Sequence, residues 1–293
     1  MKKHTITMLI ITLLLAISML AGCGGGEDTS KPTAAPTQAP TKAPTQVPEA
    51  TATPIPTEAP TQTPELPPFE YSINYVTDGL FALYEGACNT RDQGLLEDWN
   101  YWEDLSTNEN DLEELPLSDQ LYFDEDGLFI ESQLIAFPEI FHDTINAGEF
   151  TIELQFGDLE LTGTSWICFI QDYANNHDQL SFYYNVGAGE LTLKLNNNDR
   201  PKFKIAPEDM ANHTYSVTVS KTDGVAIMYQ DGVEVSRASL TKDFSVISLC
   251  IGHRAAERCY TGVYESIRFY SRALTADEIA QNAALENGIT TNR

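Results

Sequence analysis

The 293-residue sequence predicts an all-β protein: an antiparallel two-sheet β-sandwich (jelly roll) with a short C-terminal helix, behind a disordered Thr/Pro-rich N-terminal linker. Three observations predict it. From Phe69 onward, short runs alternate apolar and polar residues, which is the period of strands with one buried face. Gly, Asp and Asn interrupt these runs at short intervals, so neighbouring strands join through tight turns. Residues 24–68, by contrast, hold 11 of the 15 prolines and very few large apolar side chains, so they cannot bury enough surface to fold.

The N-terminus comes first. Lys2 and Lys3 precede an apolar run from Met8 to Leu20, which ends in Leu20-Ala21-Gly22-Cys23. The run is too short to cross about 30 Å of hydrocarbon comfortably, and small residues follow it, so residues 1–23 read as a signal peptide. The ending resembles the bacterial lipobox. That resemblance implies export, a diacylglycerol on the Cys23 sulfur, and anchoring on the extracytoplasmic face of the cell membrane; ordinary secretion with an incidental Cys23 is the alternative. Residues 24–68 then repeat a Thr-x-Ala-Pro theme, as in Ala39-Pro40-Thr41-Lys42-Ala43-Pro44-Thr45. Proline fixes φ and removes a donor, so this linker is expected to be extended, up to about 3 Å per residue.

Residues 69–293 make the folded domain, long enough to remove roughly 70% of its unfolded surface from water without staples. It holds 38 acidic and 13 basic side chains, so nearly all of the net charge of −26 sits here. Such a field opposes nucleic acid, whose binding needs Lys and Arg at phosphates, and opposes docking on an anionic bilayer.

Within the domain, Thr151 to Phe156 places Ile152, Leu154 and Phe156 on one face and Thr151, Glu153 and Gln155 on the other. Leu191 to Leu195, Tyr215 to Ser220 and Glu265 to Tyr270 alternate likewise. Asp223-Gly224 and Asp231-Gly232 bracket Val225 to Gln230, which predicts adjacent hairpins. One helix is predicted, Ala276 to Leu285, with Thr275 as its cap and Glu278 at the capping-box position.

The order Ile251-Gly252, Thr261-Gly262-Val263, then Ile267 through Ile279 resembles the C-terminal signature of laminin G-like jelly rolls of the concanavalin A-like lectin/glucanase group. Trp102 to Asp111, Phe150 to Phe156, and His213 to Gly232 resemble three further motifs of that family in order and spacing. The resemblance covers about residues 78–286. Thr107 and Glu109 depart from the family's usual glycines, and Tyr215 lies where a Trp is common upstream. The family implies a sandwich that holds sugars on loop rims or a concave sheet. It also includes glucanases, so a glycoside hydrolase is one alternative; a protein-binding adhesin or structural envelope protein is the other.

Glycoside hydrolysis needs paired carboxylates about 5 Å apart in the retaining geometry. Glu109-Asn110-Asp111-Leu112-Glu113 is the single literal match, yet Asn110 stands where a strand would need an apolar residue. No Gly-x-Ser-x-Gly or His-Glu-x-x-His occurs. The expectation is therefore a non-catalytic binding domain. Candidate sugar-contacting residues on polar faces are Glu153, Gln155, Tyr183, Asn185, Lys194, Arg268 and Tyr270, with Tyr183 beside Asn185 the best local pair of flat ring and hydrogen-bonding group. The competing reading is a solvated outer face. Trp99, Trp102 and Trp166 are either platforms or core. Calcium is the one cofactor considered: Asp172, Asn175, Asn176 and Asp178 crowd oxygen ligands into one loop, a composition that turns also favour. Cys250 and Cys259 lie on consecutive predicted strands and are a candidate disulfide, with free thiols the alternative.

Overall fold

The alternating runs become fourteen strands in the computed structural model, which describes residues 74–161, 166–172, 180–196, 199–252 and 261–290. The lipidation expected at Cys23 and the linker at 24–68 lie outside these residues. The strands are β1 (Leu80–Glu85), β2 (Leu121–Phe123), β3 (Leu128–Glu131), β4 (Leu134–Ala136), β5 (Glu149–Glu160), β6 (Trp166–Asp172) and β7 (Leu180–Asn185). They continue as β8 (Glu190–Leu195), β9 (Lys202–Lys204), β10 (Thr214–Ser220), β11 (Val225–Gln230), β12 (Val233–Ser239), β13 (Leu249–Gly252) and β14 (Thr261–Tyr270). They form two antiparallel sheets. One runs β12-β11-β10-β5-β14-β3-β2, with β1 also paired to β14, and the other runs β4-β13-β6-β7-β8-β9.

Between the sheets lies an apolar core to which the expected faces contribute. Ile152, Leu154 and Phe156 of β5 meet Leu191, Leu193 and Leu195 of β8 there, together with Phe182, Tyr184, Tyr215, Val217 and Val219. Removing this area from water is the main force holding the layers together. The face assignment along β7 also holds, because Phe182 and Tyr184 belong to the core while Tyr183 does not.

The turn signals carry their expected geometry. Asp231 and Gly232 both have positive φ, 49° and 79°, and join Gln230 to Val233 as a two-residue hairpin whose twist matches its strands. The glycines of the C-terminal signature have a steric reason. Gly252 sits at φ 70°, and a Cβ there would lie 2.2 Å from the Gln133 carbonyl oxygen; at Gly262 it would lie 2.0 Å from that of Asp158. No other residue fits either contact.

Among the described residues, two α-helices flank the sheets. The unforeseen one, α1 (Glu139–Ala147), lacks a side-chain cap and presents only Phe141 and Ile145 to the core. It stops at Gly148, which is left-handed at φ 83°. The expected one, α2 (Ala276–Thr290), starts in the expected box: Glu278 N–H donates to Thr275 Oγ1 at 3.3 Å, and Thr275 N–H to Glu278 Oε2 at 2.8 Å.

Candidate functional site

The polar outer face of the eight-stranded sheet is not open. Ser216, Glu153 and Arg268 stand in one cross-strand row, and α2 lies over them with Ile279, Asn282, Ala283 and Glu286 all buried. Arg268 donates to Glu153 Oε2 at 2.8 Å and also bonds Glu286. Asn282 Nδ2 donates to Glu153 Oε2 and to the Tyr270 hydroxyl, each at 2.9 Å, and Ser216 Oγ to Glu153 Oε1 at 3.0 Å. The segment that leads into β1 joins in: the Tyr75 hydroxyl donates to Glu286 at 2.8 Å, Val76 N–H donates to Asn282 at 2.9 Å, and the Arg268 guanidinium lies 4.2 Å from the Tyr75 ring centre. Burial works against the Arg268 charge, but Glu286 and Glu153 outweigh it and hold its pKa well above the ordinary range. Burial likewise pushes the Tyr75 and Tyr270 phenols up, so they stay neutral. The expectation that Glu153, Gln155, Arg268 and Tyr270 present an accessible sugar-binding face is therefore corrected. All four are buried, and a helix carrying an amide and a carboxylate on its inner stripe bonds Glu153, Arg268 and Tyr270.

The outer face of the six-stranded sheet is polar too, with little charge at its centre. Ala136, Cys250, Gln171, Ser181 and Lys194 form one outward row across five strands, and Tyr183 with Thr192 belongs to the next. Gln171 Nε2 donates to the Gly252 carbonyl at 2.8 Å, while its buried Oε1 has no hydrogen-bond partner among the described residues. Tyr183 is only 8% exposed, which corrects its reading as an open platform; Asn185 and Lys194 are half-buried. The most open part of this face is at β9, where Lys202 pairs with Glu190 at 2.8 Å.

A third feature opens at the β4 edge of that sheet. The backbone of Trp102 exchanges both hydrogen bonds with Leu112, at 2.9 and 3.0 Å, and Leu115 N–H donates to Asn100 O at 2.9 Å, which makes a short ribbon. Asp104, fully buried, pins its turn by accepting from Leu83 N–H, Ser106 N–H and Asn110 N–H at 2.8 to 3.0 Å. Trp102 points inward, its indole N–H donating to Glu85 O at 3.0 Å, and is core. Tyr101 donates to Asp111 Oδ2 at 2.8 Å, and that bond pushes its phenol up to about 12. Trp99 is 44% exposed, its ring centre 6.2 Å from that of Tyr101. Facing the ribbon across a cleft of about 510 Å³ is β4, so that Asp111, Glu113 and Glu114 form one wall and Leu134, Ala136 and Pro138 the other. That volume lies within the usual range for ligand pockets.

The Glu109-Asn110-Asp111-Leu112-Glu113 motif thus lies in a ribbon and its turn, outside every named strand. Glu109 is left-handed at φ 55°, and Asp111 accepts from both Tyr101 and the Asp104 N–H. Among the described residues, no group of three or more His, Cys, Asp or Glu side chains is arranged to hold a metal. Of the calcium candidates, Asp172 is buried and accepts from Ser248 N–H and Oγ at 3.1 and 2.9 Å. Asn175, Asn176 and Asp178 lie outside the described residues, as does Cys259. Cys250 is buried, with its sulfur 3.6 Å from Gln171 O. The side chain of Trp166 is also outside them.

The chain matches the family model of the concanavalin A-like lectin/glucanases superfamily over residues 131–280, and it belongs to that superfamily. No curated protein matches it. Among solved structures it is similar to Trypanosoma rangeli sialidase in complex with the inhibitor DANA, at 15% identity and a TM-score of 0.50, over 71% of this chain and 33% of that one. It is also similar to the CBM40 of Ruminococcus gnavus IT-sialidase bound to α2,6-sialyllactose, at 16% identity and a TM-score of 0.37, over 47% of this chain and 86% of that one. The chain thus spans about a third of the sialidase, and at these identities the likeness is one of fold.

Proposed function

We propose that this protein is a non-catalytic carbohydrate-binding module held at the cell surface by a lipid on Cys23. One observation carries the sugar reading: the exposed Trp99 ring stands beside Tyr101, whose hydroxyl bonds Asp111 on the wall of the β4 cleft. A sugar ring offers an apolar face for an aromatic surface and hydroxyls for fixed acceptors, and here both lie together. The superfamily, which holds lectins and glucanases, is consistent with it. The non-catalytic part rests on the separation of roles in the acidic stretch: Asp111 is committed to structure-forming bonds, and Glu109 and Glu113 are exposed.

A glycan array probed with the full chain carrying Cys23→Ser tests the reading. Signals competed by free sugar are expected, weakened about tenfold by Trp99→Ala with no loss of thermal stability. A blank array, or binding indifferent to Trp99→Ala, overturns the assignment of this site. Polysaccharide hydrolysis abolished by Glu109→Gln or Glu113→Gln overturns the non-catalytic part. In cells, Cys23→Ser is expected to move the protein out of the membrane fraction; unchanged fractionation removes the anchor.

A further inference from the structure

We infer that the β4 cleft selects glycans bearing a protonated amine and turns away acidic ones. The inference rests on the glycan reading above and concerns the charge of the sugar that enters. The ribbon wall brings Asp111, Glu113 and Glu114 to one side of the cleft, and no Lys, Arg or His is part of its lining. Neither Glu113 nor Glu114 has an ion-pair partner among the described residues. Asp111 receives two neutral donors, Tyr101 Oη–H and Asp104 N–H, which leave its charge uncompensated. The whole domain adds to this potential, with 38 acidic against 13 basic side chains, so an anionic sugar meets repulsion both on approach and at contact.

The other wall supplies what a neutral part of the sugar needs. Phe137 N–H donates to Leu249 O at 2.9 Å, and Ile135 stands opposite Ile251 two residues earlier. In an antiparallel ladder the hydrogen-bonded pairs alternate, so the N–H and C=O groups of Leu134 and Ala136 turn away from β13. Because β4 is the sheet edge, they turn toward the cleft. A glycan in the cleft therefore meets backbone donors and acceptors on one side for its hydroxyls and carboxylates on the other for a cation. Trp99, beside the Tyr101 that bonds Asp111, adds an exposed aromatic face that also attracts cations.

The test is calorimetric titration of the full Cys23→Ser chain, in slightly acidic low-salt buffer, with three probes: a β-linked glucosamine tetramer, its N-acetylated counterpart and α2,6-sialyllactose. The amine tetramer is expected to bind about tenfold more tightly than the acetylated one, the size of two modest ion pairs. That advantage is expected to vanish in about 1 M salt and in the double variant Glu113→Gln/Glu114→Gln, whose substitutions are exposed and leave the fold intact. Sialyllactose is expected not to bind. Equal affinity for the two tetramers, or binding of sialyllactose, overturns the charge selection while leaving the glycan reading in place. Failure of all three probes in wild type overturns this inference, and a blank array alongside it removes the glycan reading as well. An amine preference that survives in the double variant also overturns it, because the cation is then held elsewhere.

Discussion

The two sheets present outer faces built from the same alternating code, and they end differently. On the eight-stranded sheet the outward row holds full charges, Glu153 and Arg268, and a helix with Asn282 and Glu286 closes over them. On the six-stranded sheet the central outward row holds Gln171 and Ser181, and its edge strand runs out into an open acidic cleft. A polar side chain on a strand marks the face turned from the core. It does not tell whether that face meets water or another layer, since a buried charge needs partners supplied from elsewhere in the chain.

The contrast can be broken by substitution. Arg268→Met is expected to have the largest effect, about 3–5 kcal/mol of lost stability in denaturant titration, because it strands Glu153 and Glu286 in the interior. Adding Glu153→Gln and Glu286→Gln is expected to recover most of that loss. If Arg268→Met alone melts like wild type, the face is not the closed layer described here. On the other sheet, Tyr183→Ala is expected to cost about 2 kcal/mol, less than a full core truncation because the ring lies outside the main core; unchanged stability would mean that nothing packs on it.

A pH experiment sharpens the comparison at the start of α2. Glu278 is held down to about 2, chiefly by its hydrogen bond to Arg272 and then by the Thr275 N–H. A depressed carboxylate pKa adds stability above its unfolded value, and that stability is lost as pH falls from about 4.5 to about 2. Glu278→Gln is therefore expected to cost about 1 kcal/mol near neutrality, after discounting for solvent screening, and the gap to wild type should close across that acid range. A gap that persists at the acid end would show that packing, not charge, fastens the helix. Smallest is Lys194→Ala on the half-buried margin of the six-stranded sheet, expected within about 0.5 kcal/mol of wild type by thermal melting.

Much of this was legible in the sequence. The β5 and β8 faces, the Asp231-Gly232 hairpin and the Thr275 box follow from local chemistry, and the structure places them where the residues predict. The helix α1 was hidden because it is only nine residues long and has no side-chain cap to mark its start, although Phe141 and Ile145 stand four apart on one face. The cover on Arg268 was hidden for another reason. Its evidence, the spacing of Ile279, Asn282, Ala283 and Glu286 along one helical stripe, points to a partner more than a hundred residues away in Glu153. Polar residues on a buried stripe were the available signal. Tyr101 gained its bond to Asp111 on the cleft wall only through the ribbon that Asp104 holds, a geometry set by the three-dimensional turn.

The Tyr75 and Val76 bonds to Glu286 and Asn282 join positions 211 and 206 residues apart. Tension applied to the chain ahead of Tyr75 therefore does not fall on β1 alone. It is passed sideways into the last helix and, through Arg268, into the middle of the larger sheet. Cutting the chain before Asn282 is expected to slacken the opposite terminus as well, so a tethered domain would shed its grip at both ends at once.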